Sequence, residues 1–154
     1  MLLDGGTCEC VDQKEYFKFL LIQAFTWGVV IGVICALALE VAIFPYVPAF
    51  IALIVVAPII EELLKSSVVF GERTRERIFF VVMVASLGFG LGEWAFHGIL
   101  KGYFILSPTI GLHVLFTLPV AIMVGNRGPT WKNYIIGLLI AIVFHAVWNW
   151  GVTI

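Results

Sequence analysis

Residues 48–70 read PAFIALIVVAPIIEELLKSSVVF, an apolar run of transmembrane length that contains Glu61, Glu62 and Lys65. About 20 apolar residues in a helix cross the hydrocarbon core of a bilayer. A charge at the centre of such a helix costs about 2.5–3.5 kcal/mol, whereas a good apolar residue contributes only about −0.3 to −0.6 kcal/mol. Three charges therefore roughly cancel the insertion energy of the segment. We predict a membrane-crossing helix whose charged side chains face other helices.

Four further apolar runs flank this segment, at residues 17–44, 78–100, 109–125 and 133–154. The breaks between runs are FPYVP, GERTRER, KGYFILSP and NRGPTWK, which contain the Pro, Gly and charged residues typical of helix ends. The chain is 62% hydrophobic and 12% charged, whereas an average soluble domain has about 25% charged residues. We predict an all-α, polytopic transmembrane helix bundle of about five spans, with residues 1–154 forming a single domain.

Positive charges in the short loops predict the orientation of the bundle, because cytoplasmic loops are enriched in Lys and Arg. Alternating helices place seven positive residues on one side: Lys14, Lys18, Arg73, Arg75, Arg77, Arg127 and Lys132. The other side has Lys101 alone. We therefore expect residues 1–16 to be a short cytoplasmic tail and the C-terminus to be extracytoplasmic. The start, MLLDGGTCEC, lacks the features of a signal peptide, so the first apolar run is predicted to stay as an anchor.

Polar pairs four residues apart recur in the last four runs. They are Glu61 with Lys65, Glu62 with Ser66, Glu93 with His97, His113 with Thr117, and His145 with Asn149. Residues at i and i+4 share one helix face. At about 1.5 Å of rise per residue, Glu61, Glu93, His113 and His145 lie about 14–22 Å deep in a core about 30 Å thick. The sequence predicts one polar cluster at mid-membrane. Because Glu61 and Glu62 are about 100° apart on the helix, we expect only one of them to point at its centre.

Hydrolytic chemistry explains this cluster better than structural ion pairs, which are weak stabilisers. A buried carboxylate can act as a general base that activates water, and a lysine, histidine or asparagine can hold the developing oxyanion. The candidate catalytic residues are Glu61, Glu62, Glu93, His113 and His145, supported by Lys65, Thr117 and Asn149. His97 is interpreted as a structural partner of Glu93.

Zinc is the one cofactor that the residues suggest, in a His₂Glu site of His113, His145 and Glu93 whose bound water attacks the substrate. No H-E-x-x-H motif supports it. The chain also has no G-x-S-x-G motif and no Asp inside an apolar run, which argues against serine and aspartyl mechanisms. Near the N-terminus, Cys8 and Cys10 form a C-x-C, a weak metal signal without a second pair.

Four segments together resemble the PrsW family of glutamate-dependent intramembrane proteases. They are PIIEELLK (58–65), GFGLGEW (88–94), HVLFTLPVAIMVG (113–125) and HAVWNW (145–150), in family order. That family is related to the CAAX prenyl proteases and bacteriocin-processing enzymes. The resemblance implies that Glu61 or Glu62 is the water-activating base, and that Glu93, His113 and His145 complete the site as catalytic groups or metal ligands. Ser66 and Glu93 stand where the CAAX-type pattern has an arginine and a histidine, which favours the PrsW branch.

The sequence thus predicts an intramembrane endopeptidase whose partners are the lipid bilayer and a membrane protein or peptide substrate. Two alternatives stay open: a proton-coupled transporter or channel, because buried Glu and His chains also relay protons, and a non-catalytic binding or immunity protein. The net charge of −1 and the absence of a basic stripe give no sign of a nucleic-acid partner. The substrate and the oligomeric state are not determined by the sequence.

Overall fold

A computed structural model describes residues 12–71, 75–102 and 108–153 of the chain. These residues form five helical rods and no strand, which confirms the all-α prediction. The rods are α1 (Gln13–Tyr46), α2 (49–71), α3 (Arg75–Lys101), α4 (Thr109–Arg127) and α5 (Trp131–Thr153). Cys8, Cys10 and Arg73 lie outside the described residues, so nothing here tests the predictions made for them.

Four of the five rods, α1, α3, α4 and α5, are long and apolar enough to cross a membrane. The fifth, α2, has a similar length but carries Glu61, Glu62 and Lys65. The outer faces expose large apolar side chains, such as Ile34 at 61% and Leu139 at 57%. Water does not cover such surfaces favourably, whereas lipid tails do. The protein is therefore a membrane-embedded helix bundle.

Polar caps and glycines set the rod ends. Helix α1 begins at Gln13, four residues before the predicted start, because the Asp12 side chain accepts a hydrogen bond from the Lys14 backbone N–H at 3.0 Å. After α4, Gly128 has a φ of 99°, which permits the chain to turn away. Gly128 also lies against the Arg75 side chain at the start of α3, so these two chain segments meet at one end of the bundle.

Helices α1 and α3 approach each other closely through glycines. A Cβ at Gly28 would meet the Ala85 backbone, and a Cβ at Gly88 would meet the Phe25 carbonyl. Small residues at such positions allow backbones to come into contact inside a membrane. Gly90, on another face of α3, lies against Ile110 and the His113 ring of α4. The glycine stretch of α3 therefore packs against α1 on one side and allows His113 of α4 to approach α3 on the other.

Replacing Gly88 with alanine should destabilise the bundle by about 1–3 kcal/mol, the usual cost of overpacking. The added methyl group would collide with backbone atoms of Phe25, which cannot rotate aside. Gly111→Ala is the matched control, because a Cβ at Gly111 meets nothing within 4 Å. Thermal unfolding of the two variants in detergent, followed by circular dichroism, measures the difference. Equal midpoints for both variants would contradict the tight α1–α3 contact.

Helix α2 contacts each of the other four helices with one face and exposes the other, where Phe50, Leu53 and Leu63 are each more than 40% exposed. An apolar core lies at one end, where Val69 of α2 packs with Ile78, Val82, Val124 and Leu138. Near the middle of α2, Ile60 packs with Phe89 of α3 and Val33 of α1. The charged residues of α2 lie between these apolar clusters along the helix. The three charged side chains lie on the packed face of α2, which encloses them in protein and keeps them away from lipid.

Candidate functional site

Helix α2 places its three charged side chains in the interior of the bundle. Glu61 is 7% exposed, and Glu62 and Lys65 are fully buried. They meet His113 and Thr117 of α4 and His145 of α5, which are buried as well. Together with Glu93 of α3, these side chains form one cluster of contacts between four helices. Buried charges are tolerated only with polar partners, so each contact within the cluster matters.

Glu62 is the most fully engaged member of the cluster. Its Oε1 accepts hydrogen bonds from Lys65 Nζ at 2.5 Å and His145 Nδ1 at 3.0 Å. Its Oε2 accepts a third from Thr117 Oγ1 at 2.8 Å. An ionised carboxylate only accepts, so Nδ1 of a neutral His145 carries the proton and Nε2 is left with a free lone pair. Glu62 thus fixes the tautomer and the direction of His145.

Lys65 fixes the tautomer of the second buried histidine. Its Nζ lies 2.9 Å from His113 Nδ1 and 5.0 Å from the centre of the Phe89 ring. An ammonium group only donates, so Nδ1 of His113 accepts and Nε2 of the neutral ring carries the proton. His113 Nε2 contacts Glu93 Oε2 directly, although the pair is not aligned as a hydrogen bond. Nδ1 of His113 is therefore engaged by Lys65, whereas Nε2 touches Glu93 without a hydrogen bond.

Glu61 differs from Glu62, because its Oε2 is buried and has no hydrogen-bond partner. This oxygen lies 3.6 Å from His113 Nδ1, 3.7 Å from Lys65 Nζ and 3.8 Å from His145 Nε2. These gaps are too long for direct hydrogen bonds. A water beside these groups, rather than between them, can hydrogen-bond to Glu61 Oε2. Of the two neighbouring glutamates, Glu61 is thus the one with unused hydrogen-bonding capacity.

The expectation that only one of the paired glutamates faces the centre is wrong. Glu62 reaches Nδ1 of the His145 ring, and Glu61 reaches toward its Nε2. Lys65 lies within ion-pair distance of both carboxylates. The flexible three-bond side chain of glutamate overcomes the angular separation at the backbone. Helical geometry alone therefore does not decide which glutamate takes part.

The remaining predicted residues lie around this centre. Thr117 contacts Glu62, as described, and Glu93 contacts His113. The other Glu93 oxygen lies 3.6 Å from Nε2 of His97, whose side chain is 52% exposed. Asn149, predicted to support the cluster, instead donates to the Leu53 carbonyl at 3.0 Å. Its described contact joins α5 to the backbone of α2.

The metal hypothesis has a donor set that differs from the predicted one. Glu61, His113 and His145 each offer one ligand atom within 4.8 Å of the others, so Glu61 takes the place predicted for Glu93. Zinc needs lone pairs at about 2.0–2.2 Å. The Nδ1 lone pair of His113 is used by the positively charged Lys65 Nζ, which also faces Glu61. As arranged, the three residues match a metal in spacing but not in available lone pairs.

Three contact residues had no signal in the sequence. Phe116 stacks on the His145 ring, with centroids 4.6 Å apart and planes 19° apart. Phe89 lies beneath Lys65, and Tyr134 Oη lies 3.0 Å from Ser66 Oγ on α2. A phenylalanine within an apolar run looks the same whether it faces lipid or a buried histidine. Only the three-dimensional arrangement distinguishes the two.

Comparison of the chain with models of known protein families, with curated proteins and with solved structures gives no significant match. The similarity to PrsW proteases therefore depends on the four short segments quoted above.

Proposed function

We propose that the chain is an intramembrane endopeptidase that cleaves a membrane-associated protein or peptide, with Glu61 as the water-activating base. One observation carries the proposal. Glu61 Oε2 is buried, lacks a hydrogen-bond partner, and has His113, Lys65 and His145 within 3.8 Å. Glu62, by contrast, uses both of its oxygens in hydrogen bonds. An unused carboxylate oxygen beside a free imidazole lone pair suits the activation of water.

Peptide hydrolysis would proceed on a water held beside Glu61 Oε2 and His145 Nε2. Glu61 removes one proton as the water oxygen bonds to the carbonyl carbon of the peptide, and the carbonyl oxygen becomes an oxyanion. The ammonium of Lys65, 3.7 Å from Glu61 Oε2, is the positive group available to stabilise that charge. Protonated Glu61 then gives its proton to the leaving nitrogen as the carbon–nitrogen bond breaks. No step requires a metal ion.

Cleavage by the purified chain tests this function. The protein is reconstituted with a membrane-anchored reporter whose apolar segment is isotopically labelled, and mass spectrometry locates any new terminus. We expect cleavage within or next to the apolar segment, unchanged after treatment with a zinc chelator. Loss of activity on chelation, restored by added zinc, would contradict the metal-free mechanism. The assignment of the chain as a protease would still hold. No cleavage of any membrane-anchored reporter would contradict the function itself.

Membership of the PrsW branch is part of the same proposal. The Glu61–Glu62–Lys65 segment, Glu93, His113 and His145 all contribute to one cluster. That is the arrangement which the four PrsW-like segments imply. The substrate class that follows is a membrane protein, whereas the departures at Ser66 and Glu93 disfavour prenylated proteins.

We also propose that the N-terminus is cytoplasmic and the C-terminus extracytoplasmic. Arg77 contacts Gln13 at the start of α1, and Arg75 contacts Gly128 after α4, so three chain segments meet at one end of the bundle. Six described positive residues lie at or near that end: Lys14, Lys18, Arg75, Arg77, Arg127 and Lys132. Reporter fusions that are active only outside the cytoplasm should be active at the C-terminus and silent at the N-terminus. The opposite pattern would overturn the orientation.

Proton-coupled transport is the second candidate, favoured by a line of ionisable groups that leads outward. Lys65 contacts His113, His113 contacts Glu93, and Glu93 Oε1 lies 3.6 Å from the half-exposed His97. Buried groups in such contact can relay protons. Proteoliposomes under a pH gradient separate the two functions. Proton flux without cleavage of any reporter would favour transport.

A further inference from the structure

An apolar groove of about 630 Å³ runs between α4 and α5 on the outside of the bundle. Its lining includes Leu112 and Leu115 of α4 and Phe144, Val147 and Gly151 of α5. Leu115, Phe144 and Val147 are each more than half exposed. The groove therefore opens toward the lipid, as a site for an apolar chain would.

The inner wall of this groove is formed by Phe116. This side chain is only 7% exposed, and its ring lies parallel to the His145 ring at 4.6 Å. It also contacts the His113 ring edge-on at 6.4 Å and Trp148 at 6.5 Å. Phe116 thus has the groove on one side and the two buried histidines on the other. The Phe116 ring therefore separates the groove from the buried His145.

We propose that Phe116 controls access to His145, and that the groove between α4 and α5 receives an apolar segment of the substrate. The inference rests on the proposed hydrolytic function and names the route by which its substrate arrives. A segment in the groove meets no charged side chain until the Phe116 ring rotates away from His145. Movement of that one ring would expose the imidazole beside Glu61. An apolar, membrane-embedded segment suits the lining, whereas a polar peptide does not.

Histidine labelling tests the role of Phe116 without any cleavage assay. The chain has three histidines, so diethyl pyrocarbonate modification of His145 is compared with that of half-exposed His97 in the same sample by mass spectrometry. Phe116→Ala should speed His145 labelling by about 2- to 10-fold relative to His97, as expected for loss of one aromatic stacking contact. Leu115→Ala, which shortens a neighbouring side chain on the groove, should leave the ratio unchanged.

A ratio that stays constant in Phe116→Ala, or rises equally in Leu115→Ala, would overturn the access role. If Phe116→Ala does not fold, Phe116→Leu keeps much of the volume and removes the flat face. It should then give a smaller increase in the same ratio, and no increase would count against the proposal. These results stand whether or not the chain proves to be a protease.

Two exposed glycines test whether the substrate uses the groove. A Cβ at Gly151, which lines the groove, and one at Gly111, which does not, each meet nothing within 4 Å. Gly151→Trp should raise KM for the reporter about tenfold at unchanged kcat, as for the loss of about two buried methylene contacts. Gly111→Trp should leave both constants unchanged. Equal KM values in the two variants would exclude the groove as the route of the substrate. Cleavage of the reporter by both variants would still support the protease function.

Discussion

Glu61→Gln is expected to lower the rate of peptide hydrolysis by about 10²- to 10⁴-fold, the contribution of a positioned general base. The amide keeps the size and polarity of the side chain but cannot accept the proton of the attacking water. Because Glu61 Oε2 accepts no hydrogen bond and Lys65 keeps its closer ion pair with Glu62, folding should be little affected. The measurement is kcat for the membrane-anchored reporter, alongside the thermal midpoint of the same preparation.

Glu15→Gln is the matched control for that variant. Glu15 is 62% exposed in its side chain and pairs with Lys18 on the first turns of α1, away from the cluster. Cleavage and stability should both match the unmodified protein. If Glu61→Gln retained full activity while Glu62→Gln lost it in a folded protein, the base would be Glu62 and the roles assigned to the two carboxylates would be reversed.

Lys65→Met is expected to cost about 3–5 kcal/mol of stability, the usual effect of removing one partner of a buried ion pair. The ammonium is fully buried and lies 2.5 Å from Glu62 Oε1 and 2.9 Å from His113 Nδ1. Its removal leaves the Glu62 charge with only Thr117 and His145 as donors. Unfolding in detergent by a chemical denaturant, followed by circular dichroism, measures the loss.

Two comparisons separate this cost from a simple change of side-chain shape. Lys18→Met removes an exposed ion pair with Glu15, so its effect should fall within about 0–1 kcal/mol. The double variant Glu62→Gln/Lys65→Met removes the buried charge together with its partner, and should be more stable than Lys65→Met alone. A double variant that is no more stable than the single one would show that charge pairing is not the main contribution of Lys65.

The positions of the helices were predictable because apolar runs and breaker residues are local features. The length of the charge-bearing α2 predicts a span, and the burial of Glu61, Glu62 and Lys65 follows from the cost of exposing them to lipid. The start of α1 was missed by four residues, because the polar Gln13–Tyr16 turn continues the helix beyond its apolar part. An apolar composition predicts which part of a helix faces the membrane, but it does not predict where the helix begins or ends.

The composition of the cluster was predictable, but the roles within it were not. Spacing of four residues placed Glu61, His113 and His145 on inward faces, as the contacts require. Which atoms have spare hydrogen-bonding capacity depends on side-chain torsions, which separate the saturated Glu62 from the unsatisfied Glu61. Asn149 shares the predicted spacing with His145, yet its amide finds the Leu53 carbonyl. Local patterns assign a face of a helix, whereas tertiary packing assigns the partner.

The hydrogen-bond partners of Glu62 have a consequence for how the protein is made. Thr117 and His145 lie 55 and 83 residues further along the chain. During synthesis, α2 therefore reaches the insertion machinery before Thr117 and His145, which donate hydrogen bonds to Glu62, have been translated. Until α5 emerges, the nascent second helix has to wait in a hydrated or chaperoned setting, or carry its charges in neutral form. The hydrogen bonds that hold the Glu62 carboxylate are thus complete only after α5 has been inserted.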